Sequence, residues 1–200
     1  MRIAILIELD KNTKKEIIKW KKKFKNSFRK IKYIDDTPHL TLIVSQVRKD
    51  KKKIEELNHF IKKRINKFNI IFQKTDAFYD DKLSGGDTFF VNVKKSKELK
   101  QTQLKIVNFI SANFQLINLR KISNLNKKEN LNYKKYGFPY VCENWIPHVS
   151  IGCILDKKKN NNELINNFLD YKFNQKIKVN CISINMVLKN KLKLIKKIKF

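Results

Sequence analysis

Two stretches of this chain, 109 residues apart (148 − 39), open in the same way. One reads Thr37-Pro38-His39-Leu40-Thr41-Leu42-Ile43-Val44-Ser45, the other Ile146-Pro147-His148-Val149-Ser150-Ile151-Gly152. Each is a proline, a histidine, one apolar residue, a hydroxyl and then an apolar alternating run. Proline biases the residue before it toward extended backbone, so it breaks the chain where a strand begins. Side chains alternate faces along a strand. His39 and Thr41 therefore share one face, with Leu40, Leu42 and Val44 on the other. His148 and Ser150 likewise share a face, opposed by Val149 and Ile151. Each strand presents an imidazole and a hydroxyl ~7 Å apart, at ~3.4 Å rise per residue. Two such strands side by side bring two imidazoles and two hydroxyls into one cleft.

That set suits displacement at phosphorus. Two imidazoles can divide general base and general acid, because their unperturbed pKa lies near neutrality. Two hydroxyls can donate to the non-bridging oxygens of a phosphodiester held between them. The chemistry needs neither metal nor carboxylate, so no cofactor and no metal is expected. Ser and Thr are 14 of 200 residues. A histidine would carry one two places on about 7% of the time by chance, and two of the three histidines would do so roughly once in 70. The shared proline and the matched apolar context sharpen the signal further.

On these residues the chain resembles the 2H phosphoesterase superfamily, the group that includes the bacterial 2′-5′ RNA ligase and cyclic phosphodiesterase proteins. The motif pair of that family reads here as His39-Leu40-Thr41 and His148-Val149-Ser150. The likeness in order of elements covers nearly the whole chain. The second motif carries Ser where Thr is commoner, which preserves the hydroxyl. The spacing is long for the family because of residues 116–147. The resemblance implies cleavage of a 2′,3′-cyclic phosphate on an RNA end or a nucleotide, leaving a 2′-phosphate. It implies that His148 activates water and His39 protonates the departing ribose oxygen, or the reverse, with Thr41 and Ser150 holding phosphate oxygens.

Apolar periodicity supplies the frame. Strands are expected at 2–9, 39–47, 69–79, 88–93, 148–155, 177–188 and 192–199, the last two as a closing hairpin about Asn190. Helices are expected at 13–28, 51–67, 96–114 and 161–170. The first places Ile17, Trp20, Phe24 and Phe28 on one face, with Asn12 or Thr13 as its cap. Residues 116–135 lack clean periodicity and read as a surface excursion. This predicts an α+β fold, mainly antiparallel, in one domain over 1–200; the family resemblance implies two pseudo-symmetric lobes with the cleft between them.

Composition narrows the partners. Lys plus Arg is 46 against 18 Asp plus Glu, a net charge of +28. That favours a polyanion such as RNA. The excess is 41 Lys to 5 Arg beside 23 Asn, a bias that owes as much to A/T-rich coding as to phosphate recognition, which favours Arg. Cys142, Cys153 and Cys181 form no C-x-x-C pair and read as reduced thiols. The apolar start, Ile3 to Ile7, is too short for a signal segment or a membrane span. A cytoplasmic monomer without membrane contact is expected.

The run Tyr136-Gly137-Phe138-Pro139-Tyr140-Val141-Cys142-Glu143-Asn144-Trp145 leads into the second motif, and Tyr136, Tyr140 and Trp145 are candidates to stack a nucleobase. Asp35-Asp36 and Asp80-Asp81 read as turn residues, and His59 as a solvated one. Gly85-Gly86 does not open a helix, which excludes a phosphate loop. Two other readings use the same cleft: a non-catalytic RNA-binding module, and a phosphoesterase for a small-metabolite cyclic phosphate.

Overall fold

The apolar run after Met1 becomes the buried centre of the first of two sheets. The computed structural model describes residues 1–117, 122–156, 161–188 and 191–200. In chain order these form β1 (Arg2–Glu8), α1 (Lys11–Ser27), β2 (Ile31–Lys32), β3 (His39–Gln46), α2 (Lys51–Arg64), β4 (Phe68–Asp81), β5 (Gly86–Val93) and α3 (Lys97–Asn113). Then come α4 (Lys127–Tyr136), a single 3-10 turn (Cys142–Asn144), β6 (His148–Ile154), α5 (Asn162–Leu169), β7 (Lys176–Val179), β8 (Cys181–Leu188) and β9 (Lys191–Lys199). One sheet has the order β3-β1-β8-β9 and the other β2-β6-β5-β4-β7, with antiparallel pairing throughout. The fold is therefore α+β, as the patterning predicts.

Helix α1 starts earlier than its apolar stripe suggests. Asp10 is the cap: its carboxylate accepts from the backbone N–H groups of Asn12 and Thr13 and from the Thr13 hydroxyl. Ile17, Trp20 and Phe24 face inward, and Phe24 meets Phe28, Phe89 and Phe168 ring to ring. Side chains from both sheets and from all five helices join one contiguous apolar core.

Two expectations need correction, and a third is not tested. The strand expected over 177–188 breaks at Asn180, because the chain changes sheet there: β7 pairs with β4, and β8 pairs with β1. The expected turn residue Asn190 lies outside the described residues. The excursion from 116 contains α4, started by a reciprocal capping box between Asn126 and Glu129. Only Tyr136 of α4 is buried, so the helix has no apolar period to read. Among the described residues, no helix is long and apolar enough to cross a membrane.

Candidate active site

The two motif strands begin identically. His39 Nδ1 lies 2.7 Å from the Thr37 carbonyl, and His148 Nδ1 lies 2.8 Å from the Ile146 carbonyl. A carbonyl can only accept, so Nδ1 carries the proton in both rings. Nε2 is left as the titrating atom, a base when neutral and an acid when protonated. In each case the partner sits two residues back, across Pro38 or Pro147. The repeated proline thus fixes the tautomer of the repeated histidine.

Each strand is also bulged at the same place. Thr41 pairs with Leu6 and Ile43 with Ile5, which leaves Leu42 without a counterpart. Ser150 pairs with Phe90 and Gly152 with Phe89, which leaves Ile151 without one. The extra residue follows the hydroxyl in both strands and is fully buried. Bulges of this kind re-aim the adjacent side chains. His39, Thr41, His148 and Ser150 are all half-buried, while Leu40, Leu42, Val149 and Ile151 are wholly enclosed. That split follows strand alternation as far as the bulge; beyond it Ile43 and Ser45 are buried and Val44 is only half-buried, which corrects the face expected for Val44.

The strands meet across the two sheets. β3 is the edge of its sheet, and the two-residue β2 covers β6 only at Cys153 and Ile154. The His148–Ser150 stretch is thereby open on that side, and β3 packs against it. The Trp145 indole N–H donates to the Thr41 carbonyl at 3.2 Å and ties the second motif to the first. His148 lies close enough to His39 to feel its charge.

Burial lowers the pKa of both imidazoles from the ordinary 6.5. The charges nearby differ. Lys21 and Lys14 push His39 further down, against Glu8. Asp81 pulls His148 up, and His39 pushes it down. Asp81 is fixed by the Leu83 N–H and by the hydroxyls of Ser84 and Thr88. Its turn role was legible in sequence; its proximity to His148 was not. Glu8, in register with His39, is engaged by Lys14 and Lys197.

The wall beside His148 comes from β4 and β5. Asn92 is in register with His148 and Phe90 with Ser150. The Phe90 ring stacks on Phe78 at 4.1 Å, and these rings stand 4.9 and 5.2 Å from the His148 ring. Phe90 is buried, whereas Phe78 is half-open. Sequence reasoning missed Phe78, which lies on β4 and is separated from the motif strand β6 by β5.

The aromatic run before the second motif divides. Tyr136 and Trp145 are 8% and 4% exposed, too enclosed to offer a ring face to a base, and this corrects their expected role. Trp145 bridges the strands, and the Tyr136 carbonyl receives the Ser45 hydroxyl. Tyr140 remains half-open. Burial, with Glu129 and Asp81 nearby, pushes its phenol up to about 12, so it stays a donor. Its loop is held by Asn132, whose amide donates to the Pro139 and Val141 carbonyls. Asp35 pairs with Lys25 at 2.6 Å, and His59 is exposed on α2. Among the described residues no group of three or more His, Cys, Asp or Glu could hold a metal ion.

The two antiparallel sheets bring the two imidazole–hydroxyl strands together. A sequence model of the 2′-5′ RNA ligase superfamily matches residues 11–189, and the chain belongs to that superfamily. Membership supports phosphodiesterase chemistry in general. The fold is similar to TT0787 of Thermus thermophilus, with TM-score 0.69 and 13% identity, covering 100% of this chain and 97% of that one. It is also similar to E. coli LigT complexed with 3′-AMP, with TM-score 0.62 and 13% identity over 100% and 97%. For LigT complexed with NADP+ the values are 0.61 and 12% over 100% and 96%. No curated protein sequence matches significantly.

Proposed function

We propose that this protein is a phosphodiesterase that opens 2′,3′-cyclic phosphates on RNA ends or nucleotides, without a metal, using His39 and His148. The observation that carries the reading is the matched pair of Nδ1–carbonyl bonds, each of which leaves Nε2 as the working atom of its ring. One neutral Nε2 removes a proton from water. The oxygen attacks phosphorus in line with the 3′-oxygen. The second ring, as imidazolium, gives its Nε2 proton to that leaving oxygen, and a 2′-phosphate remains. Thr41 and Ser150 donate to the non-bridging oxygens as charge develops on them. The local charges favour His39 as the base, because Lys21 and Lys14 disfavour its protonated form against the opposing Glu8, and His148 as the acid, because Asp81 stabilises its protonated form. This is the exchanged form of the assignment that the family resemblance implies first.

The nucleotide class draws support from the ligands named in the E. coli LigT structures, 3′-AMP and NADP+. The half-open Phe78 and Tyr140 are suited to a base and a phosphate respectively. A net charge of +28 suits a longer polyanion. The test compares an oligoribonucleotide bearing a 2′,3′-cyclic end with the matching mononucleotide, at low and high salt. A preference for the oligomer that salt abolishes is expected. Failure to open either substrate would remove the reading.

A further inference from the structure

Behind the first motif, α1 holds a lysine that the proposed chemistry does not use. Lys21 is 4% exposed, a rare state for an ammonium. Its Nζ donates to the Tyr33 carbonyl at 2.6 Å and to the Ile34 carbonyl at 3.4 Å. Tyr33 sits at φ +63°, left-handed backbone that is unfavourable for a residue with a side chain. The same carbonyl also accepts the Asp36 N–H at 3.2 Å, closing a turn over residues 33–36. The next residue, Thr37, supplies the carbonyl that fixes the His39 ring. Lys21 thus clamps the strained turn from which the His39 anchor issues.

We propose that Lys21 is a positioning residue for His39: its buried ammonium holds the 33–36 turn and so sets the Thr37 carbonyl against Nδ1. The proposal rests on the functional reading above. The charged groups facing the clamp are Asp35 and Asp36 from the turn and the His39 ring from β3. Glu8 of β1 and Lys14 of α1 act on the same ring. Burial outweighs the two aspartates and lowers Lys21 to about 8, so its charge falls away in an accessible pH range. The second motif shows no counterpart: the charges that act on His148 are those of Asp81 and His39.

The test replaces Lys21 by Met, which keeps the apolar stem and removes the donor and the charge, with exposed Lys22→Met as control. For K21M the expected result is a kcat lower by about tenfold or more. KM should stay within about twofold, and the ascending limb of the kcat/KM–pH profile should move to higher pH, because a cation beside His39 is gone. K22M should match the parent. A folded K21M with parental kcat and an unmoved limb would overturn the proposal. A second readout needs neither variant nor substrate. Ring carbon-13 NMR of His39 in the unsubstituted protein should show a further inflection near the Lys21 pKa of about 8, and its absence would also overturn the proposal. Because this titration is independent of turnover, an inactive protein would remove the functional reading and leave the clamp standing.

Discussion

Trp145 reaches from the loop before β6 to the Thr41 carbonyl on β3, 3.2 Å from indole nitrogen to oxygen. The bond spans 104 residues of sequence and joins the two motifs by the backbone of one of their hydroxyl residues. Trp145→Phe keeps the packing and removes the donor, leaving a backbone acceptor without its partner. A stability loss of about 1–2 kcal/mol is expected in denaturant titration. A larger proportional loss in kcat should accompany it, because the spacing of β3 and β6 loosens. Unchanged stability and kcat would mean that the sheets hold their relation without this bond.

The open ring of Phe78, stacked on Phe90 beside His148, is the surface best placed to meet a base. Phe78→Ala should raise KM for a mononucleotide cyclic phosphate by about tenfold and leave kcat nearly intact, since one stacked base is worth about 1–3 kcal/mol. Saturation curves for the two proteins check this. A fall in kcat at constant KM would assign Phe78 to the support of His148 instead.

Burial lowers both imidazoles below 6.5 in the free protein. The ascending limb of kcat/KM follows the base and the descending limb follows the acid. With both set low, kcat/KM should peak below pH 6.5. The kcat optimum should lie higher, because a bound phosphate anion favours imidazolium. Rates across pH 4.5–8.5, at low and saturating substrate, separate the two profiles.

The same shifts bear on stability. Each folded-state pKa is depressed, so the unfolded chain binds more protons as pH falls below about 6.5. The contribution is complete above the unfolded value and is lost as pH falls through the folded one. The melting temperature should therefore decline from pH 7 to pH 5. The variant with both histidines changed to Gln should decline less. Parallel curves for the two proteins would show that neither ring is desolvated in the folded state.

Much of this arrangement is legible in the sequence, because strand alternation is rigid. Once the two prolines mark the strand starts, His39 must share a face with Thr41, and His148 with Ser150. The helices followed from Ile17, Trp20 and Phe24, and from Ile54, Leu57 and Ile61, each an apolar stripe. The bulges at Leu42 and Ile151 were hidden, because an extra residue leaves no compositional mark. The break at Asn180 was hidden because β7 and β8 read as one apolar run although they serve different sheets. An aromatic residue looks the same whether it is core or platform, so Trp145 and Tyr140 could not be told apart. Lys21 was one of 41 lysines until its burial set it apart.

The most direct measurement is single-turnover cleavage of an oligoribonucleotide with a 2′,3′-cyclic phosphate end, in excess chelator, by the parent, His39→Ala, His148→Ala and the double variant. Each single substitution should cost about 10²–10⁴-fold in rate, the range for loss of one general acid or base, and the parent should be indifferent to the chelator. The double variant should fall by less than the product of the two single losses, because the rings act as one unit. A double variant that opens the cyclic phosphate at the parental rate would contradict the account.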